Sequence, residues 1–383
     1  MKETMVYLDN AATTPLDKEV FDAMVPYMLE YFGNPSSIHA HGRQVRSAIE
    51  KSRKTIATLI NVAPAEIFFT SGGTEADNMA ICSTVRALGL KHAVTSRLEH
   101  HAVLHTLESL EKSGEIQLRY VAHDERGNLD LNHLEELLAT QEQTLVSIMH
   151  ANNEIGNLND IQAISEICAK YNAIQHSDTV QTMGHYRHDL QKLKAHFIVG
   201  SAHKFHGPKG VGFIYTNGAV KIPPLIHGGS QERNMRGGTE NVYGIIGLAK
   251  ALEIAYRDMD AHQQHIQNLK NRMISRLTEQ IPGVEFNGNS AMADKSLYTV
   301  LNVSLPPSEI TEMLLFNLDI NKISASGGSA CTSGANAGSH VLNALNCDPD
   351  RGAIRFSFSK YNTPDEIDYV AEKLAGLYAK VPA

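Results

Sequence analysis

Between residues 66 and 215, short apolar runs of strand length alternate with longer helix-like segments, and this alternation restricts the chain to few folds. The strand-like runs cover residues 66–70, 93–96, 116–121, 144–150, 173–177, 196–201 and 211–215. The helix-like segments between them cover residues 74–88, 102–112, 131–139 and 161–171. Repeated strand–helix alternation predicts an α/β fold with a mostly parallel sheet wrapped by helices.

The rest of the chain has a different pattern. A helical pattern from Val242 to about Gln280 predicts one long helix of the kind that links two domains. After Pro282-Gly283, strand patterns at 296–304 and 353–359 flank helical patterns at 309–318 and 364–378, which predicts a smaller α+β domain. We therefore expect a large domain at 15–260 and a small domain formed by 1–14 and 261–383, in line with the length of 383 residues.

Charge and cysteine content exclude several classes of protein. The formal net charge is −8, which disfavours non-specific binding to nucleic acid or to an anionic membrane. Charged residues within the first ten positions leave no apolar core for a secretory signal. The four cysteines form no CxxC pair and are too few for a disulfide framework. We expect a reduced, cytoplasmic protein that binds neither membrane nor nucleic acid.

The segment Thr70-Ser-Gly-Gly-Thr-Glu-Ala-Asp-Asn78 joins a predicted strand to a predicted helix. Two glycines allow close approach of the backbone, and the first N–H groups of a helix together with the Thr74 hydroxyl form an anion site suited to phosphate. The alternative is a plain helix N-cap. The segment contains neither a GxGxxG dinucleotide fingerprint nor a P-loop.

Two further residues follow predicted strands, where open α/β sheets place their ligands. Lys204, in Ser201-Ala-His-Lys-Phe-His-Gly-Pro208, could form a Schiff base with a carbonyl group, or could be a solvated loop lysine. Asp178, in Gln175-His-Ser-Asp-Thr-Val-Gln181, could keep a pyridinium nitrogen protonated, or could cap a helix.

Three residues remain as candidates for catalysis or substrate binding. His100 could stack on a flat ring or carry protons, or could lie in an exposed loop. Cys331 lies in a Gly/Ser-rich loop, which is unusual for a packed thiol and favours a nucleophile. Arg355, in an alternating strand pattern, could bind a substrate carboxylate through two hydrogen bonds, or could face solvent.

These motifs occur in one order along nearly the whole chain, from Tyr7-Leu-Asp-Asn-Ala-Ala-Thr-Thr-Pro15 to Arg355-Phe-Ser357. Because of this set of motifs and their order, the sequence resembles the pyridoxal-phosphate-dependent cysteine desulfurases of the NifS/IscS type, in the fold-type I (class V) aminotransferase superfamily. The resemblance implies a large domain with a mostly parallel seven-stranded sheet and a small α+β domain that carries the Cys331 loop. It also implies a homodimer.

The resemblance also implies a role for each matching residue. Lys204 holds pyridoxal phosphate as a Schiff base, Asp178 pairs with the ring nitrogen, and His100 is a catalytic residue that stacks on the ring. Cys331 accepts the sulfur, and Asn153 and Arg355 hold the substrate carboxylate, Asn153 also being counted among the cofactor-binding residues. The remaining cofactor contacts are Gly73, Thr74, Gln181, Ser201 and His203, with Thr239 reaching the phosphate of the other subunit. No metal is implied.

The implied activity is desulfuration of L-cysteine to L-alanine, with a persulfide on Cys331. An acceptor, such as a scaffold or sulfur-carrier protein for iron–sulfur cluster assembly or thio-modified RNA, then receives the sulfur. Selenocysteine lyase and transaminase activities of the same superfamily are the alternatives among enzymes. A non-catalytic protein that kept the fold is the alternative outside enzymes, and it would be expected to lack Lys204, Asp178 or Cys331.

Overall fold

The computed structural model describes residues 5–140, 142–327 and 338–378. Cys331 therefore lies outside the described residues. The chain begins with a short strand and two helices, which precede the predicted alternation: β1 (Val6–Tyr7), α1 (Lys18–Leu29) and α2 (Ala40–Leu59). Among the described residues, no helix combines the length and the apolar composition needed to cross a lipid bilayer.

Seven strands form the central sheet, as expected. They are β2 (Ile67–Thr70), β3 (His92–Thr95), β4 (Gln117–Tyr120), β5 (Thr144–Ser147), β6 (Ile174–Asp178), β7 (Phe197–Ser201) and β8 (Gly212–Thr216). Their spatial order is β2-β8-β7-β6-β5-β3-β4. Only β8 runs antiparallel to its neighbours, so the carboxyl ends of the other six strands meet at one edge of the sheet.

Helices cover both faces of this sheet. They are α3 (Gly73–Leu88), α4 (His101–Lys112), α5 (Leu131–Ala139), α6 (Ile161–Lys170) and α7 (Val242–Arg257). Successive strand residues point to opposite faces: Phe69 and Ile198 pack in the cluster with α7, whereas Phe68 and Val199 pack in the cluster with α3 and α4. Burial on both faces explains why β2, β7 and β8 are mainly apolar, whereas β6 is buried but carries polar residues that end at Asp178.

The expected single helix over 242–280 is wrong, because the structure has two helices there. Asp258 takes φ −107° and ψ 11°, ends α7 with a hydrogen bond from its N–H to Ile254 O, and is followed by α8 (Met259–Gln280). The Asp258 carboxylate binds the Arg257 guanidinium through two hydrogen bonds. The helical period continues across the break, so periodicity alone does not reveal it.

The remaining elements form a second unit, most of which packs around a core of its own that includes Leu8, Ile266 and Phe356, while Val341 packs in a separate cluster with Leu98 and Ile155. They are β9 (Glu285–Phe286), β10 (Val300–Leu305), α9 (Leu314–Ile320), β11 (Ile323–Ser324), α10 (His340–Ala344), β12 (Gly352–Ser357) and α11 (Pro364–Tyr378). An antiparallel sheet has the order β12-β10-β9, and β1 pairs in parallel with β11. The exact domain boundaries stay a prediction.

Candidate active site

A cavity of about 390 Å³ opens at the carboxyl-terminal edge of the central sheet. Ten of the twelve predicted site residues line it: Gly73, Thr74, His100, Asn153, Asp178, Gln181, Ser201, His203, Lys204 and Arg355. Of the other two, Thr239 lines a separate cavity of about 150 Å³, and Cys331 lies outside the described residues. The structure thus brings together residues that are up to 282 positions apart in the sequence, from Gly73 to Arg355.

The first turn of α3 forms one wall. Gly72 precedes the helix and provides no side-chain cap, so the first N–H groups of α3 meet a cavity bordered by Gly73 and Thr74. A Cβ atom on Gly73 would lie 2.7 Å from Val180 Cγ2, which explains why a glycine stands there. An uncapped helix start with a neighbouring hydroxyl matches the anion site that the sequence predicts.

Lys204 ends a short 3₁₀ turn, Ala202–Lys204, directly after β7. Its Nζ donates to Ala11 O at 2.6 Å and to Ala12 O at 2.9 Å, so the N-terminal segment holds the amine at the cavity wall. Gln181 Nε2 also donates to Ala11 O, at 3.1 Å. Burial and the Lys204 ammonium lower the pKa of the neighbouring His203 to about 4, so His203 is a neutral ring at pH 7.

Asp178 ends β6 and lies almost completely buried at the cavity. Its Oδ1 accepts a hydrogen bond from Val180 N–H at 2.9 Å. Burial raises the pKa of Asp178, while the Val180 N–H and the Lys204 charge act in the opposite direction. A positive charge at the open side of this carboxyl would compensate for its burial.

Two more buried carboxyl groups lie behind Asp178, and sequence reasoning did not identify either of them. Asp77 lines the cavity from α3 and has Oδ1 3.3 Å from His176 Nε2. Glu99 accepts a hydrogen bond from Met149 N–H at 2.8 Å. Burial, together with the charge of Asp178, raises the pKa of both groups well above the ordinary carboxyl range, so both favour the protonated form.

His100 is the N-cap of α4 and faces the cavity. Its Nδ1 accepts a hydrogen bond from Ala102 N–H at 3.1 Å, which requires an unprotonated Nδ1 and places the proton of the neutral ring on Nε2. Burial, then the charges of Lys204, His340 and His105, lower the pKa of His100 to about 4. The ring is therefore a neutral donor at pH 7.

Arg355 comes from the middle of β12 and reaches the cavity from the second unit. Its Nη1 donates to Asn153 O at 3.0 Å and its Nη2 to Asp9 Oδ1 at 2.8 Å. Its buried Nε has no hydrogen-bond partner among the described residues. The solvent-facing alternative for Arg355 is wrong, because the residue is only 2% exposed.

Thr239 does not reach this cavity within its own chain. It follows Arg236, whose guanidinium binds the Glu75 carboxylate of α3 through two hydrogen bonds of 2.9 and 3.2 Å. Glu232, a few residues earlier, forms a buried ion pair with Arg53 at 2.7 Å. These two contacts fix the position of the segment that carries Thr239.

The chain matches the profile of the class-V aminotransferases over residues 6–370. It is 44% identical to a cysteine desulfurase IscS of Dictyoglomus turgidum over 380 residues, which is 98% of this chain and 95% of that protein. The chain belongs to the class-V aminotransferase family. Within it, the chain is a relative of the cysteine desulfurases of the NifS/IscS type, as the resemblance implied.

Two solved structures bear directly on the fold. A NifS-like protein superposes with a TM-score of 0.90 at 38% identity and covers 98% of this chain and 100% of its own. The second structure is of SspA in complex with cysteine, with a TM-score of 0.81 at 29% identity, and it covers 94% of this chain and 100% of its own. The expected fold class is confirmed.

Proposed function

We propose that this class-V enzyme is a pyridoxal-phosphate-dependent cysteine desulfurase. The observation that carries the proposal is the cavity in which Lys204, Asp178, His100 and Arg355 converge. The curated relatives that carry this name are similar over almost the whole chain, and the SspA neighbour was solved with cysteine. We propose L-cysteine as substrate and L-alanine as product.

The residues present suit pyridoxal phosphate. The uncapped start of α3, with Thr74, Ser201 and His203 nearby in the cavity wall, would hold the phosphate. Lys204 would hold the aldehyde carbon, His100 would stack on the ring, and Gln181 would bind the ring hydroxyl. Asp178, which is buried and lacks a full compensating charge, would keep a proton on the ring nitrogen. When bound, the group supplies an electron sink for the substrate Cα.

The side chains of the cavity then have separate tasks. Arg355, oriented by Asp9 and Asn153 O, binds the substrate carboxylate through its guanidinium group. The Ala11 and Ala12 carbonyls hold the Lys204 amine in the cavity wall, and in its neutral form this amine removes the proton from the substrate Cα. His100 donates from Nε2 into the cavity.

Cys331 accepts the sulfur: the Cys331 thiolate attacks the substrate sulfur, an S–S bond forms, and the substrate C–S bond breaks with its electron pair kept by carbon. Both ends of the segment that contains Cys331 are attached to cavity walls. Ser326 exchanges two backbone hydrogen bonds with Arg355, and His340 binds Glu99 O. Cys331 is five positions after Ser326 and nine before His340.

We propose a homodimer as the functional unit. Six large apolar side chains between residues 16 and 38 are at least 41% exposed: Leu16, Phe21, Met28, Leu29, Phe32 and Ile38. Large apolar side chains left exposed so close together in the sequence favour an interaction surface in this part of the chain. In a dimer, Thr239 of one subunit would contact the phosphate in the other subunit's cavity.

Mixing two variants tests this subunit sharing. Lys204→Ala homodimers should be inactive, and Thr239→Val homodimers should bind the cofactor more weakly. A mixed dimer has one site with both residues intact, so co-purified heterodimers should recover up to half of the wild-type activity. No recovery in isolated heterodimers would show that Thr239 acts within its own subunit.

The persulfide on Cys331 would be passed to a sulfur-carrier or scaffold protein for iron–sulfur cluster assembly or thio-modified RNA. This reaction needs free thiols, so we place the enzyme in the reducing cytoplasm, and Cys82, Cys168 and Cys347 are unpaired. For the domain arrangement we propose the division at 15–260, with 1–14 and 261–383 as the small domain.

Visible spectroscopy with added L-cysteine is the decisive experiment. The purified protein should be yellow, and cysteine should change its spectrum and yield alanine and sulfide under reducing conditions. Cys331→Ala should keep the spectral change and lose sulfide production, whereas Lys204→Ala should lose the linkage that borohydride reduction makes permanent. A keto acid as product would instead indicate a transaminase, and strong preference for selenocysteine would indicate a lyase.

A further inference from the structure

Three histidine rings lie together at the start of α4, outside the contacts that the proposed reaction uses. The His101 and His105 rings stack with centroids 4.6 Å apart, and the His101 and His340 centroids are 4.5 Å apart. His340 comes from a distant part of the chain, at the first position of α10. The cluster adjoins His100, whose ring centroid is 6.2 Å from that of His101.

Two hydrogen bonds connect this cluster, one from His340 to Glu99 O and one from His101 to His340. His340 Nε2 lies 2.9 Å from Glu99 O, and because a carbonyl only accepts, Nε2 carries a proton. In neutral His340 the other nitrogen, Nδ1, is then an acceptor. It lies 3.1 Å from His101 Nε2, which donates to it. His340 therefore contacts the residues on both sides of His100: the backbone carbonyl of Glu99 and the ring of His101.

Neighbouring contacts support the same attachment. Ser339 caps α10 and donates through its hydroxyl to the buried Glu154 carboxylate. Val341, in the first turn of α10, packs with Leu98 and Ile155 in one apolar cluster. The start of α10 is thus fixed to the loops that follow β3 and β5, at the edge of the sheet where the cavity opens.

We infer that His340 is a positioning residue for sulfur transfer: by binding His101 and Glu99 O, it fixes the carboxyl-terminal end of the segment that carries Cys331 beside His100. This inference rests on the proposed function. Cys331 lies nine positions before His340, a span of at most about 32 Å. The His340 contacts add to those of Ser339 and Val341 at this end, and a more firmly held end raises the effective concentration of the Cys331 thiol at the cavity.

The attachment depends on which ring receives an added proton. A proton on His101 Nδ1 leaves the His101-to-His340 hydrogen bond intact, whereas a proton on His340 Nδ1 would remove its acceptor. The titratable groups facing the pair are His100 and His105 on α4 and Glu154, whose Oε1 is 3.9 Å from His340 Nδ1. Burial, then His340, His105 and His100, lower the pKa of His101 to about 4, so the His101 ring is neutral at pH 7.

Single-turnover kinetics separate this role from a structural one. With the holoenzyme and L-cysteine, stopped-flow absorbance reports substrate reaching the cofactor, and quenched alkylation with mass spectrometry reports persulfide on Cys331. His340→Ala should slow persulfide formation about three- to tenfold, the effect of losing about one hydrogen bond, and leave the first spectral change unaltered. His340→Gln, whose amide can donate to Glu99 O and accept from His101, should restore most of the rate.

Two further variants complete the test. His101→Ala should slow persulfide formation to a similar extent, and the double variant His101→Ala/His340→Ala should be little slower than either single one, because all three lack the same contact. His123→Ala, on the turn after β4 where the ring bonds Asp124 O, is the control and should match the wild type. Unfolding midpoints verify that each variant is folded.

The outcomes are distinct. Wild-type persulfide rates in His340→Ala, or equal slowing of the spectral change and the persulfide step, would overturn the inference. Failure of His340→Gln to restore the rate would also count against it. A wild-type protein that shows no spectral change with L-cysteine and forms no persulfide would instead overturn the proposed function, and the inference with it.

Discussion

Arg355 Nη2 and the Ser326 hydroxyl both donate to Asp9 Oδ1, each at 2.8 Å. The Asp9 carboxylate thus fixes both the Arg355 guanidinium and Ser326, which lies five positions before Cys331. The arrangement explains how a strand residue from the second unit is held over a cavity built mainly by the central sheet. Asp9 acts through Arg355 and Ser326, so we regard it as a positioning residue.

Replacing Arg355 should weaken substrate binding. In Arg355→Ala we expect KM for L-cysteine to rise about 10- to 100-fold, the effect of losing charge-assisted hydrogen bonds to a carboxylate. Asp9→Asn should raise KM less, because the guanidinium remains and only its orientation loosens. Steady-state kinetics check both, with the exposed Arg119→Gln on β4 as control. An unchanged KM in Arg355→Ala would remove Arg355 from substrate binding.

The buried Asp77 predicts a dependence of stability on pH. Because burial raises the pKa of Asp77 in the folded protein, the folded state binds more protons than the unfolded state above the ordinary carboxyl pKa, so this group's contribution falls as pH rises. Asp77→Asn removes the free-energy cost of ionising this buried carboxyl group. We expect its unfolding midpoint to exceed that of the wild type by a few degrees at pH 8 (about 2–4 °C for 1 kcal/mol) and by less at pH 5.

Calorimetry of the cofactor-free proteins at both pH values measures this difference. The control is Asp294→Asn, an exposed residue, which should leave the midpoint and its pH dependence unchanged. If Asp77 were instead a carboxylate paired with a charged His176, the Asn variant would be less stable at pH 8. Burial lowers the pKa of His176 to about 3, which argues against a charged imidazole there.

The sequence predicted the central sheet because strand signals are local, and the family resemblance named ten residues that line the cavity, whose roles stay predictions. Each predicted strand extends over only a few residues, and so do the motifs around Lys204 and Asp178. Asp9 had no such signal, since its partners Ser326 and Arg355 are 317 and 346 positions away. Long-range pairs of this kind are set by how β1, β11 and β12 pack, which periodicity does not determine.

Asp77 was missed although a signal exists. It shares one face of α3 with Ala76, Ala80 and Thr84, all of which are buried, so a carboxyl on that face predicts a buried polar site. The break between α7 and α8, in contrast, has no signal in the sequence pattern, because it depends on the conformation of Asp258 alone. The domain boundaries and the role of each site residue stay predictions.

The Arg53–Glu232 ion pair predicts a strong effect on stability. Both side chains are 2% exposed, and Glu232 Oε2 also accepts a hydrogen bond from Phe69 N–H at 2.8 Å. Arg53→Met leaves a buried carboxylate without its cation, which should cost about 3–5 kcal/mol. The double variant Arg53→Met/Glu232→Leu should be more stable than Arg53→Met. Urea unfolding measures both, and an equal loss in both variants would contradict this account.

Lys270 provides a test of electrostatics far from the cavity. It is completely buried on α8, and its Nζ donates to Ser296 Oγ at 2.9 Å and to Leu297 O at 2.7 Å. Burial lowers the pKa of Lys270 to about 7, so above pH 7 the folded state holds a neutral amine while the unfolded chain stays charged up to about pH 10.5. Folding therefore excludes a proton in this range, and stability should rise as pH rises from 7 to 10.

Lys270→Met removes the titrating group and keeps an unbranched chain of similar length. Its unfolding midpoint should exceed that of the wild type at pH 7, by about 5 °C, and the difference should shrink towards pH 10 as the wild type gains stability. The control is Lys112→Met, at an exposed residue in the last turn of α4, and its unfolding midpoint should change with pH in the same way as that of the wild type. A wild-type midpoint that stays level or falls from pH 7 to 10, with Lys270→Met parallel to it, would mean that the Lys270 ammonium remains charged inside the fold.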